Sequence, residues 1–457
     1  MTDNKVNNPE DQMFAELGRM AEDSGRIEQE LYTKFEVKRG LRDIDGRGVL
    51  VGLTKIGEVH SYVVEEGEMV PVPGRLIYRG YDVVDLVDGF MSEGRFGFEE
   101  TVYLLLSGQL PNLKEQEDFH NLLTKYQKLP GSFARDIILK APSKDIMNML
   151  ARSVLSLYSY DEKPDDASVE NVIKQCICLI ARFPCLAVYA YQAYSHYHGN
   201  KSLFIHSPQA ELSVAENILA MLRADSKYTK LEAALLDLAL VLHAEHGGGN
   251  NSSFVTHVVT SSGTDTYSAI AAAIGSLKGP RHGGANHKVV RMFDEMKEQI
   301  KDWEDDEEIE SYLDKVLNKK AFDRAGLIYG VGHAVYSVSD PRAVILKKYV
   351  ADLAREKGLE AEYNLYAAVE RIAPLLIGKF TKIYKGVSAN IDLYSGFVYR
   401  MLNIPEEMFT PLFAIARISG WSAHRIEEIV NRGKIIRPAY KSLAPRRDYV
   451  NFTERAE

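Results

Sequence analysis

Cysteine is scarce in this chain: Cys176, Cys178 and Cys185 are the only three in 457 residues. They cannot build a disulfide framework, and neither a C-x-x-C pair nor a Cys/His zinc spacing occurs, so buried thiols in a reducing compartment are expected. Positive charge is also in deficit. Fifty-five Lys and Arg face 64 Asp and Glu, a formal charge of −9, which excludes a protein organised around a broad basic nucleic-acid surface. No apolar run approaches the length of a bilayer span. The opening MTDNKVNNPEDQ has neither the apolar core of a secretory signal nor the Arg-rich, acid-poor character of a transit peptide. The expectation is a cytoplasmic protein that binds no nucleic acid and no membrane. A P-loop, a Rossmann glycine pattern, G-x-S-x-G and H-E-x-x-H are all missing, as are internal repeats and low-complexity linkers.

What is present is an ordinary globular composition, 46% hydrophobic and 26% charged, enough for a sizeable core in two or three domains. Residues 36–80 alternate and are punctuated by glycine, which predicts a few short strands or an extended arm. From Asp82 onward apolar residues recur at helical period, as in Phe98, Val102, Leu105 and Leu106, or Leu231, Leu235, Leu238 and Leu242, so the fold class is mainly α. Seven acids in residues 302–310 make a solvated helix face. Arg432, Lys434, Arg437, Lys441, Arg446 and Arg447 have no acid between them, and form either a surface tail or a basic arm that reaches an anion.

Six of the 12 histidines fall between positions 243 and 333. His246 continues the apolar stripe of its helix by one turn, with His243 off the stripe, so His246 is either a satisfied core histidine or an anion ligand at a helix C-terminus. His282 stands on a glycine-flanked turn just ahead of a helix N-terminus, where the dipole disfavours imidazolium. A neutral ring there can donate to an oxygen gaining charge; ordinary turn capping is the alternative. His333 follows Gly330-Val331-Gly332 on a tight loop. Asp340-Pro341 then opens a helix with Arg342 in its first turn, which makes Arg342 either a carboxylate clamp or the partner of Asp340. Asp392, between Ile391 and Leu393, is a base raised by apolar neighbours or an N-cap. Arg417 has Phe413, Ala414, Gly420 and Trp421 around it at helical spacing, and a charge so placed needs a partner from protein or ligand. Arg437 is the remaining candidate clamp. Together these residues imply a small polycarboxylate substrate and a reaction that generates an oxyanion or enolate. His246-Gly247-Gly248-Gly249 resembles the oxyanion loop of some esterases, but no nucleophile elbow accompanies it. A metal held by His243 and His246 would share one helix face, yet Glu245 points elsewhere and no ligand cluster follows. No metal is expected, and His243, His257 and His287 read as structural.

Six motifs in order, HAEHGGGN, GPRHGGAN, GVGHAVY with SDPRA, NIDLYSG, ARISGW and IRPAY, resemble those of the citrate synthase family, and the likeness runs from GRLIYRGYDVVDL near residue 75 to the C-terminal arm. The resemblance implies a two-domain helical fold: a large domain of 1–284 plus 404–457, with a β-rich segment at about 36–80, and a small domain of 285–403. It also implies a homodimer. Oxaloacetate would lie in the cleft between domains, held by His246, His333, Arg342, Arg417 and by Arg437 from the partner subunit. Asp392 would take a proton from the methyl of acetyl-CoA while His282 holds the thioester oxygen, and His333 would polarise the ketone under attack. Gly330, Val331 and Gly332 would receive the adenine end of CoA. No cofactor is implied, acetyl-CoA being a substrate. The chain departs from the family at Arg281, Ala334 and Ser337; the last replaces a basic residue that often binds CoA phosphates, for which Arg281 or Lys288 can substitute. A 2-methylcitrate synthase using propionyl-CoA through the same residues is the nearest rival. A catalytically silent binding subunit is the rival of another class, against which Asp392, His282 and His333 all stand.

Overall fold

The computed structural model describes residues 9–43, 47–66, 68–332, 335–381 and 386–455. Contacts within the chain group residues 1–53 apart from residues 54–457. The first unit holds helices Pro9–Gly25 and Gln29–Lys34, a short 3-10 turn Arg39–Leu41, and a single bridge from Arg42 to Gly48. Residues 36–80 were expected to form a few short strands or an extended arm; the strands occupy the part from Gly57 onward, and before it the described residues hold only the 3-10 turn and that bridge.

In the second unit, β1 (Gly57–Glu65) pairs antiparallel with β2 (Glu68–Tyr78), and the short β3 (Tyr81–Asp82) adds to β2. The sheet is pinned at Gly74, whose N–H donates to Ser339 O at 3.1 Å. A Cβ there would fall 2.3 Å from that oxygen, so only glycine permits the approach. At the end of β2 the buried Tyr78 hydroxyl lies 3.0 Å from Val241 O and 3.1 Å from Glu245 O. It thereby caps the carbonyl end of helix Lys230–His243.

The rest is helical, as its periodicity predicts: seventeen α-helices among the described residues. Several of their starts carry side-chain caps, including full capping boxes at Asn112/Glu115, Ser213/Glu216 and Thr229/Glu232. One helix departs from the sequence reading. Val169–Tyr197 is long and apolar enough, by length and composition alone, to cross a membrane. Gln175, Arg182 and Gln192 break its linear run, whereas the helix sums its apolar positions. Most of it is buried in the core, packed along helix Phe409–Val430. All three cysteines lie on it, buried and reduced, and burial pushes the Cys176 thiol up to about 11.

Helix Phe409–Val430 also packs on Lys230–His243, Asn251–Thr260 and Thr266–Lys278, while Asp392–Met401 packs on Ala285–Gln299 and Pro341–Lys357. These two groups of helices, with the end of β2, carry the candidate residues.

Candidate active site

Arg417, midway along helix Phe409–Val430, is fully buried. Its Nε donates to His243 O at 2.7 Å, one of the carbonyls left open at the end of Lys230–His243. Its Nη1 and Nη2, equally buried, have no hydrogen-bond partner. Burial pulls its pKa down to about 10, so it is still a cation at neutral pH. A buried guanidinium with idle donors carries the full desolvation cost of those groups, which an anion's oxygens would offset.

The Phe413 ring gathers the neighbours. Arg417 lies over it at 4.7 Å, and the rings of His243 and His282 meet it edge-on at 4.7 and 6.2 Å. His243 is a core residue, its Nδ1 2.8 Å from Ala239 O and its pKa pushed down to about 3 by burial. The helix ends at His243, so His246 sits in the following loop rather than on a continued stripe. It is nonetheless buried, its ring centre 5.6 Å from that of Tyr336 in an edge-on contact. Sequence periodicity assigned the inward place to one histidine; the structure buries both.

His282 lies on the turn before helix Ala285–Gln299. Its Nε2 is 3.1 Å from Ser252 Oγ, which also takes the Trp421 indole N–H at 3.0 Å and lies 3.0 Å from Asn250 Oδ1. Burial, with the nearby Arg417 charge, lowers the His282 pKa to about 4. The ring is neutral at pH 7, as its place ahead of a helix start predicted.

The third wall is a glycine turn laced to a strand-like segment. Gly330 and Gly332 have φ of +83° and +100°. Gly332 N donates to Ser388 O at 2.8 Å, Asn390 N to Gly330 O at 2.9 Å and Asn390 Nδ2 to Gly332 O at 2.8 Å. A Cβ on Gly330 would sit 3.0 Å from Leu393 Cα, so that glycine is what lets the turn press against the start of helix Asp392–Met401. Asp392 is the first residue of this helix and caps nothing; among the described residues its carboxylate accepts no hydrogen bond. Burial raises its pKa to about 6, against the lowering influence of Arg342.

Arg342, buried in the first turn of Pro341–Lys357, is paired with Asp340: Nη2 to Oδ2 at 2.7 Å and Nε to Oδ1 at 3.0 Å. Of the two alternatives read from sequence, the structure shows the pairing with Asp340; the guanidinium also lies 5.9 Å from the centre of the Tyr336 ring that meets His246. Asp340 Oδ2 also accepts from Ile391 N at 3.3 Å, which couples the arginine to the start of the Asp392 helix.

His246 and Arg342 thus meet at the Tyr336 ring, His282 and Arg417 at the Phe413 ring, and Asp392 lies within the electrostatic reach of Arg342. His333 lies outside the described residues; the residues before it belong to the laced glycine turn. Arg437 stands apart, exposed on an irregular segment after the last long helix, where Ile436 N donates to Ser261 Oγ at 3.1 Å. A surface cleft of about 440 Å³ is lined by residues such as Tyr191, Lys201, Arg400 and Glu406 and contains none of these groups. Tyr78 and Ser252 went unnoticed in the sequence. A tyrosine ending a strand and a serine in a helix's first turn carry no local signal, and their partners lie 163 and 169 residues away.

The sequence model of the family described as "Citrate synthase, C-terminal domain" matches residues 41–439. A citrate synthase of Synechocystis sp. is 33% identical over 387 residues, 84% of this chain and 88% of that protein. The 2-methylcitrate synthase 1 of Corynebacterium glutamicum is 30% identical over 426 residues, 92% of this chain and 99% of its own length. Among solved structures, citrate synthase from Thermoplasma acidophilum, in a ternary complex with carboxymethyl coenzyme A and oxaloacetate, superposes with a TM-score of 0.75 at 28% identity, over 92% of this chain and 99% of that one.

Proposed function

The chain belongs to the citrate synthase family, and from that premise we propose that it is an acyltransferase that joins the methyl carbon of acetyl-CoA to the ketone carbon of oxaloacetate and hydrolyses the thioester to give citrate and CoA. The observation that carries the reading is Arg417: a fully buried cation with two terminal nitrogens that no acceptor among the described residues meets. A substrate carboxylate supplies what is missing in a bidentate geometry that suits arginine. Arg342 and His246 complete the grip, with His333 at the ketone.

The Asp392 carboxylate accepts a proton from the acetyl methyl, and the electron pair moves toward the thioester oxygen. With a pKa of about 6, Asp392 is a better proton acceptor than an ordinary carboxylate and is still mostly ionised at pH 7. Neutral His282 donates a hydrogen bond to the forming enolate oxygen. The enolate carbon attacks the ketone of oxaloacetate, whose oxygen takes a proton as the new hydroxyl forms, with His333 in that place. Water then cleaves the citryl thioester, releasing CoA and one proton. Closure of the 285–403 domain over the substrates would exclude water until the carbon–carbon bond exists. Gly330 to Gly332 receive the adenine end of CoA.

The active unit is a homodimer in which Arg437 enters the partner's site, a place its exposure on an irregular segment favours. Mixing inactive Asp392→Ala with inactive Arg437→Ala subunits should restore activity in heterodimers, and no recovery would remove Arg437 from the shared site. The reaction itself is tested with purified protein: thiol release that requires both oxaloacetate and acetyl-CoA is expected, and its absence defeats the proposal. The second reading, 2-methylcitrate synthesis, is favoured by the Corynebacterium relative. One methylene in an apolar pocket is worth about 1–3 kcal/mol, so kcat/KM for acetyl-CoA against propionyl-CoA decides between them.

A further inference from the structure

Two turns past Arg417 the same helix carries His424, Glu427 and Glu428, which face His257 on helix Asn251–Thr260. His257 Nδ1 is 2.8 Å from Glu428 Oε2, and His424 Nε2 is 3.0 Å from Glu245 Oε1. Each carboxylate fixes the N–H of its imidazole on the outer nitrogen. The two inner nitrogens, His257 Nε2 and His424 Nδ1, lie 3.1 Å apart. In two neutral rings both of these positions are lone pairs, which repel at that distance unless something positive stands between them.

The third group decides what that is. Glu427 Oε1 accepts from Lys55 N at 2.7 Å, whereas its buried Oε2 has no partner and lies 4.0 Å from His424 Nδ1. The two inner nitrogens and a Glu427 oxygen all fall within 4.8 Å of one another. A proton shared between the rings would leave Glu427 Oε2 unmet; a divalent cation would meet all three. Two nitrogens bound tetrahedrally to one zinc at about 2.0–2.1 Å lie about 3.3 Å apart, close to the spacing present. Gly248 adds room: a Cβ there would fall 3.4 Å from His424 Cε1 and 3.6 Å from His257 Nε2, in the space beside the inner nitrogens.

We propose that His257, His424 and Glu427 form a structural site for a divalent transition ion of the zinc type, with Glu428 and Glu245 orienting the two imidazoles from behind. Imidazole with one carboxylate is a zinc and cobalt donor set, and imidazoles backed by carboxylates are the usual second shell of such sites. Three carboxylates crowd two imidazoles, and a dication balances them. The ion is separate from the proposed chemistry, but it clamps helix Phe409–Val430 to helix Asn251–Thr260. Through Glu245 it also steadies the loop that bears His246.

The test uses the full chain, stripped with EDTA and dialysed against low-micromolar Zn²⁺ in substrate-free buffer, with metal counted by mass spectrometry and Co²⁺ as a spectroscopic probe. One equivalent per chain and tetrahedral cobalt bands are expected. His257→Gln should abolish stoichiometric binding. Glu428→Gln, which leaves every ligand in place, should weaken binding about 10- to 100-fold, and circular dichroism confirms that each variant folds. A wild-type chain that stays metal-free, or one that binds no better than His257→Gln, overturns the site; a proton shared between the two imidazoles that persists by NMR at saturating Zn²⁺ does the same.

Discussion

Arg417 and Arg425 stand eight residues apart on one helix, are both buried, and have their pKa values lowered by that burial. Every donor nitrogen of Arg425 is used: Nε on Thr266 Oγ1 at 3.0 Å, Nη1 on Thr260 Oγ1 at 3.2 Å and Nη2 on Thr264 O at 2.9 Å. Arg417 has one acceptor and two idle nitrogens. The protein answers one arginine completely and leaves the other for something it does not contain. Burial alone therefore does not separate a structural cation from a binding one; the count of unmet donors does.

Exchanging each for a neutral side chain of similar length should give opposite results. Arg417→Met removes the partner of a desolvated substrate carboxylate, a loss of about 2–5 kcal/mol, so kcat/KM for oxaloacetate should fall about 10²- to 10³-fold. Its urea midpoint should hold or rise, because an unpaired buried charge has gone. Next in size, Arg425→Met strands two hydroxyls and a carbonyl. It should cost stability by about 1–3 kcal/mol while the folded fraction keeps its turnover. If Arg417→Met unfolds the enzyme and Arg425→Met disables it, the contrast is wrong.

Of this pair only Arg417 was singled out in the sequence, and the part that distinguishes the two was not visible there. Apolar neighbours at helical spacing announced that Arg417 is buried. Its state depends on the His243 carbonyl, 174 residues away, and that of Arg425 on Thr260, Thr264 and Thr266, some 160 residues away. The same limit hid the approach of His257 to His424, and it left the choice at Arg342 open until Asp340 was seen to bind it. Local signals did better. Glycine with positive φ at Gly330 and Gly332, the Asp340-Pro341 start, and the turn at His282 are where their spacing put them, because a turn or a cap is written in adjacent residues. Residues 36–80, read as short strands or an extended arm, become strands only from Gly57 for the opposite reason: alternation states which face a strand would bury, not whether a partner strand arrives.

A smaller effect sharpens the contrast by titration. Both arginines keep their charge across the working range, so the acid limb of kcat/KM should belong to Asp392. Its folded pKa is raised by burial to about 6 and its role requires the ionised form, so activity should decline as pH falls through about 6, approaching tenfold per unit below it. His282, held to about 4, stays neutral through that window and adds no second limb. A rate that is flat from pH 7 to 5 would take the base role away from Asp392.

The smallest change concerns the third buried arginine. Arg342 is intermediate between the other two, answered by Asp340 yet close to the site, and Asp340 reaches the Asp392 helix through Ile391 N. Asp340→Asn keeps the N-cap of helix Pro341–Lys357, since asparagine caps as well as aspartate. It removes a negative charge that raises the Asp392 pKa while leaving the Arg342 charge that lowers it. With the opposing charge gone, the Asp392 carboxylate loses its proton at lower pH, so the acid limb should move down relative to wild type. Oxaloacetate affinity should rise at the same time, because the charged partner that competes with the substrate carboxylate for Arg342 is replaced by a neutral one. A limb that moves up, or an affinity that falls in a folded variant, would mean that Asp340 holds Arg342 in place for the substrate rather than competing with it.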